Sequence, residues 1–158
     1  MIPPLNLKLN EVDTSSPLLM EGDYTLEITA AEGVESKNAP GNYNLKVDFQ
    51  TVQEEKTSKG EPVKAGFKLT RYFPIPPYKD GKNDEMFKVG LAKLQLAVCG
   101  QKVTPENTAA LPDFDNDFVS AMPGKLVRAK VKTSAKKEGE ENSEFGPRSE
   151  IAGVFANI

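Results

Sequence analysis

The sequence contains no histidine and a single cysteine, Cys99. One cysteine forbids an internal disulfide and gives no sign of a secreted, stapled scaffold. Without histidine, neither a Ser-His-Asp nor a Cys-His nucleophilic arrangement can be built. A zinc knuckle or a His-ligated catalytic metal is excluded on the same ground. Cys99 sits in the apolar run LAVCG and reads as a buried small hydrophobe. No GxxxxGK[ST] phosphate loop and no internal repeat occurs. The opening MIPPLNLKLN has no apolar run behind a basic segment, so neither a signal peptide nor a membrane span is expected.

Basic charge is also short. The net charge is −3 over 158 residues and the pI about 5.2, whereas a basic total would argue directly for nucleic acid. The charge is segregated, however. Between Glu11 and Glu35 the acids are Glu11, Asp13, Glu21, Asp23, Glu27, Glu32 and Glu35, with no Lys or Arg. From Lys125 to Arg148 there are seven basic residues against four Glu. Local fields, not the total, decide what docks where.

What is present is a chain of one domain's length, 158 residues, with 38% hydrophobic and 27% charged residues. The expectation is a single domain over 1–158, with an N-terminal extension at 1–20 and a flexible polar loop, SAKKEGEENSE, at 134–144. QEEKTSKGEP (53–62) reads as a hairpin connection.

Five segments show the period-two alternation of half-buried strands. GDYTLEITAAEG turns Tyr24, Leu26, Ile28 and Ala30 to one face. NYNLKVDFQTV turns Leu45, Val47 and Phe49 inward and Lys46 outward. AGFKLTRYFPI turns Phe67 and Leu69 inward, with Lys68, Thr70 and Tyr72 outward. Arg71 would point inward there, which predicts a bulge or a barrel rim. KLVRAKVKT sets Val127, Ala129 and Val131 against Leu126, Arg128, Lys130 and Lys132. SEIAGVFANI carries Ile151, Gly153 and Phe155 with one parity, Ala152 and Val154 with the other.

Between the third and fourth strands Phe87, Leu91, Leu94 and Val98 recur at helical spacing. Asn83 offers an N-cap, Asp84 and Glu85 suit the positive end of the dipole, and Gly100 suits the stop. Thr104-Pro105-Glu106 predicts a second, short helix. The fold class is therefore mainly β: a five-stranded OB-fold barrel with one helix between strands 3 and 4.

In such a barrel the outer face of strands 2 and 3, the first hairpin loop and the last loop bind oligonucleotides. Those addresses hold Lys37 in the first loop, Lys46, Lys68 and Tyr72 on the face, and Lys136 and Lys137 in the last loop. Arg128 and Lys130 lie on the fourth strand. A single strand needs cations along its phosphates and aromatic faces for its bases. The candidate nucleic-acid-binding residues are Lys37, Tyr43, Lys46, Lys68, Arg71, Tyr72, Arg128, Lys130, Lys136 and Lys137. Tyr72 and Tyr43 are the stacking candidates, and Tyr43 needs a kink at Gly41-Asn42 to leave the inward face. Tyr78, in a Pro-fixed loop, is a weaker aromatic candidate. The blander reading is that lysines on outward strand positions keep a β protein soluble at its edges.

The run DFDNDF (113–118) starts like a calcium loop, but Phe118 stands where the turn glycine belongs and Gly124 where the closing Glu belongs. It reads as an acidic connector whose Phe114 and Phe118 dock on the core. No catalysis and no cofactor are expected; a metal-dependent nuclease using Asp113, Asp115 and Asp117 stands as a third reading.

Several motifs together resemble a family of small bacteriophage single-stranded DNA-binding proteins, many first catalogued as domains of unknown function. They are Gly22 and Tyr24 leading a strand, the Ser36-Lys37-Asn38 loop, Leu91, Leu94, Ala97 and Gly100 along the helix, and Gly124-Lys125 opening the next strand. The likeness runs from about Leu5 to Val154. It implies an OB-fold and sequence-tolerant binding of single-stranded DNA in phage replication or recombination, in the host cytoplasm. Phage or host replication proteins are the implied partners, and no membrane is involved. Many single-stranded DNA-binding proteins end in an acidic tail, whereas this sequence closes on GVFANI, which turns the expectation toward a homo-oligomer formed through the last strand. The rival reading is a phage protein-interaction module: an acidic DNA mimic that inhibits a host protein, motivated by the acidic 11–35 segment, or a virion part.

Overall fold

The computed structural model describes residues 4, 10, 18–37, 39–134 and 148–157. The main sheet consists of β1 (Gly22–Glu35), β2 (Tyr43–Thr51), β5 (Lys68–Ile75), β6 (Leu126–Ser134) and β7 (Arg148–Ala156), in the spatial order β5-β2-β1-β6-β7. Every neighbouring pair is antiparallel. Two short strands, β3 (Glu55–Lys56) and β4 (Pro62–Val63), form a separate hairpin at the connection expected at 53–62, running one residue past it to Val63. Three helices occur among the described residues: α1 (Asp84–Val98), α2 (Pro105–Ala109) and α3 (Asn116–Ala121).

The sheet is curled into an open half-barrel because β1 divides its partners. Its first half, Gly22–Glu27, pairs with β6, and its second half, from Leu26 to Glu35, pairs with β2. At the changeover Ile28 donates its N–H to the Lys125 carbonyl (2.9 Å) and accepts from the Gly124 N–H (2.7 Å). The β1–β2 register then slips between Ile28 and Ala30, a bulge that bends the strand. The extra residue passes the core-facing role from the expected Ala30 to Ala31, which sits opposite Val47 and packs on the core. Edge strands β5 and β7 approach within 8 Å between Cα atoms but do not join in a ladder. The result is mainly β, an open five-strand half-barrel with short helices, consistent at that coarse level with an OB-fold-like architecture.

The core follows the alternation. Leu26, Ile28, Leu45, Val47, Phe49, Val127, Ala129 and Val131 are buried, and Leu91, Leu94 and Ala97 of α1 close over them. Each fully buried large side chain contributes roughly 1.5–3 kcal/mol. The two parities of the last strand merge at a bulge: Val131 faces Ile151, but Ala129 faces Val154 and Val127 faces Ala156. Leu19 also belongs to the core; it bridges to Thr57 and donates its N–H to Ser149 Oγ (2.8 Å).

Helix α1 starts after Asn83, whose side chain makes no capping hydrogen bond; Asp84 is spent accepting from the Tyr78 N–H (3.1 Å). It ends in a Schellman arrangement. Gly100, at φ 70°, donates to the Ala97 carbonyl (3.1 Å) and Gln101 to the Leu96 carbonyl (2.9 Å). This corrects the reading of Cys99 as buried: it is the exposed C-cap residue, one position past the last turn that faces the core. Thr104 caps α2 as expected, accepting from the Asn107 N–H (3.1 Å), with Pro105 at the first turn. The acidic connector contains the unexpected α3, capped by Asp115 Oδ1 from the Phe118 N–H (2.9 Å). Phe114 and Phe118 pack on the core, as the connector reading has it, with ring centroids 5.6 Å apart.

Candidate nucleic-acid interface

Antiparallel pairing places directly opposed residues on one face of a sheet. Across β1, β2 and β5 the outer rows are Glu32–Lys46–Tyr72, Ala30–Asp48–Thr70 and Glu27–Gln50–Lys68. Two of the three carboxylates are engaged within the sheet: Asp48 Oδ1 accepts from the Thr70 hydroxyl (2.7 Å) and Glu27 Oε1 from Gln50 Nε2 (2.9 Å).

Beyond β5 the surface drops into a cleft of about 590 Å³ along the seam between the two edge strands. From β2 and the β5 side it is lined by Lys46, Phe67, Lys68, Leu69, Thr70, Arg71 and Tyr72; from β7 by Arg148, Ser149, Glu150 and Ile151. Four cations thus face one carboxylate. None of the four forms an ion pair within 4.0 Å with a described residue. Tyr72 is 54% exposed at the edge of this cleft.

Arg71 explains itself at this seam. The β2–β5 register runs unbroken from Tyr43↔Ile75 to Gln50↔Lys68, so there is no bulge, and Arg71 takes the inward position opposite Val47. A cation is tolerated there because the barrel is open: the residue is half-buried, at the rim. Its guanidinium carbon lies 4.9 Å from the centroid of the Phe73 ring. Burial pushes its pKa below the ordinary arginine value, and Glu150 pulls the other way. It is a partly desolvated cation with little counter-charge.

Two further grooves follow, each sharing lining residues with the one before it. The first, about 780 Å³, shares Arg71 and Tyr72 with the cleft and runs between β5, α1 and β7 past Met86, Val89, Lys93, Lys130 and Phe155. The second, about 310 Å³, shares Lys93, Val103 and Phe155 with the first and ends at Lys102 and Arg128. Arg128 Nη1 is held by the Thr25 hydroxyl (2.9 Å).

Of the expected binding residues, Lys46, Lys68, Arg71 and Tyr72 therefore meet in one cleft, while Arg128 and Lys130 line the grooves beyond it. Lys37 and Tyr43 do not join them. Lys37 is exposed on the β1–β2 turn, which is closed by its own bonds: Gly41 N–H to Glu35 Oε1 (2.9 Å), Ser36 N–H to the Asn42 carbonyl (2.8 Å) and Lys79 N–H to Asn42 Oδ1 (2.9 Å). Tyr43 keeps the inward parity of Leu45 and Val47 in the unbroken β2–β5 register, opposite Ile75, yet it is 51% exposed because it is the first residue of β2, at the end of the sheet. Tyr78 packs its ring on Phe87, centroids 4.8 Å apart, and donates its hydroxyl to Asn44 Oδ1, so it is occupied. Lys136 and Lys137 lie outside the described residues, as does the expected loop at 134–144 except Ser134.

Among the cleft residues that sequence reasoning did not assign to a site are Arg148 and Glu150, its further cation and its one carboxylate, and Phe67. Arg148 was visible as a cation opening the last strand, but nothing in the sequence says that this strand end lies across from β5. Among the described residues no group of three or more His, Cys, Asp or Glu side chains could hold a metal ion, and no helix is long and apolar enough to cross a membrane. No family model matches the chain and no curated protein matches it; the resemblance to phage proteins rests on the quoted residues alone.

Proposed function

We propose that this protein is an OB-fold module that binds single-stranded DNA with little sequence preference, the phage replication or recombination role being the one its motifs resemble. The observation that carries the reading is the β5–β7 cleft, where Lys46, Lys68, Arg71 and Arg148 surround an exposed Tyr72 against one carboxylate, Glu150, in a chain of net charge −3. Phosphates are met by the four cations, and a base lies on the Tyr72 ring, at roughly 1–3 kcal/mol per stacked base. No donor–acceptor set for reading base edges is required, which favours sequence tolerance. The strand order β5-β2-β1-β6-β7, with α1 between β5 and β6, supports the OB-fold assignment.

The test is fluorescence anisotropy of a labelled dT oligonucleotide at several salt concentrations, with duplex as competitor. The expected result is preference for the single strand and a log–log salt slope of about −0.7 per phosphate neutralised. Absence of binding at low salt, together with capture of a basic protein, would instead support the interaction-module reading. The pairing of Glu32 with Lys46 and of Asp23 with Lys130 across the sheet sets cations among the acids, so the acidic face that motivates that alternative is locally offset.

A further inference from the structure

We infer that bound single-stranded DNA does not stop at the cleft but continues past the seam, along α1 and β7, to Lys102 and Arg128. This deepens the single-stranded DNA reading and rests on it.

Continuity is the first ground. The cleft and the groove beside α1 share Arg71 and Tyr72 as a common wall, and that groove shares Lys93, Val103 and Phe155 with the one beyond it. Adjoining in this way, the three lay out one candidate channel around the open edge of the sheet. Charge is the second. Past the cleft the channel adds Lys93, Lys130, Lys102 and Arg128 against one acid, Asp23, and its last section holds no acid at all. A polyanion is the occupant such a channel fits; an acidic total makes the local excess more telling.

Chemistry is the third ground. Phe155 is 38% exposed, and Met86, Val89 and Val103 are more than half exposed, so the channel wall is apolar between its cations. Phosphates with unstacked bases between them need that alternation. The expected outer face of β2 and β5 offers less, since Asp48 and Glu27 share it with Lys46 and Lys68. The route therefore bends around the sheet edge instead of crossing the sheet.

The test compares the full-length protein with a Lys93→Ala/Lys102→Ala double variant and with Phe155→Ala, using dT strands of about 5 and about 20 nucleotides. Lys93 and Lys102 are exposed, so removing them leaves the fold intact. The expected result is near-equal affinity of wild type and variants for the short strand, which the cleft alone holds. For the long strand, the double variant's salt slope falls by about 1.4, two phosphates' worth, and Phe155→Ala binds several-fold more weakly. Unchanged slope and affinity for the long strand in both variants would overturn the route while leaving the cleft reading standing. Wild-type protein that binds neither strand would overturn both.

Discussion

Lys46 and Tyr72 stand directly opposite each other across the β2–β5 ladder, on the same face, and both line the seam cleft. Two hydrogen-bonded strands hold the backbones of this cation and this exposed ring side by side; on the proposed reading, the ring would take a base while the ammonium met the adjoining phosphate. Preorganisation of this kind comes from the sheet, so neither side chain has to be recruited from a loop.

Replacing Tyr72 by Ala should weaken binding of a dT strand by about 1–3 kcal/mol without changing thermal stability, because the ring is exposed. Tyr72→Phe should retain most of the affinity. Tyr43→Ala should cost less than Tyr72→Ala, since Tyr43 lines neither the cleft nor the two grooves beyond it. Anisotropy titrations at one salt concentration check all three. Equal losses for Tyr43 and Tyr72 would contradict the placement of the site.

Arg71→Met should separate binding from stability. The apolar stem can replace the packing of the arginine stem at the half-buried rim, while the cation–π contact with Phe73, about 0.5–1 kcal/mol at a partly exposed site, is lost. Urea denaturation should show a change of about 1 kcal/mol or less. The salt slope of DNA binding should fall by about 0.7. A variant that unfolds would show that Arg71 is structural.

Glu32 flanks Lys46 on β1. Glu32→Gln removes a negative charge beside the cleft without altering shape, so affinity for single-stranded DNA should rise, by about 0.5 kcal/mol at low salt. The gain should vanish near 1 M salt, where the screening length is about 3 Å. A gain that persists at high salt would point to a conformational cause.

Gly41 has φ 91°, and a Cβ there would sit 2.4 Å from Lys79 Cε. The lysine end can swing away, but the backbone conformation remains strained for any L side chain, at roughly 1–2 kcal/mol. Gly41→Ala should lower the urea midpoint by a corresponding amount and leave the Tyr72 cleft intact, so that DNA affinity is unchanged at temperatures where the variant is folded.

The strands and α1 were legible because alternation and helical spacing are properties of the chain alone: Leu45, Val47 and Phe49 are buried whatever their partners. Boundaries set by hydrogen bonds with distant residues were not. The Ile28/Ala30 slip depends on the β2 register, and α3 is too short to show periodicity. Cys99 was misplaced because an apolar neighbourhood in sequence does not say where a helix leaves its core.

By itself the sequence determined the order of the five main strands and α1, most of their inward residues and the exclusion of histidine-based chemistry, because each follows from residue type and spacing. It also placed Lys46, Lys68 and Tyr72 on one face. The tertiary structure alone decided that β5 and β7 curl toward each other without closing. That open seam brings Arg148 beside Arg71 and Tyr72, from which it is separated by more than seventy residues of chain. It also lets Arg71 keep its charge at an inward position. Such proximity depends on how far a twisted sheet curls, which is a balance of bulges and packing summed over all five strands, and no local stretch of sequence encodes it.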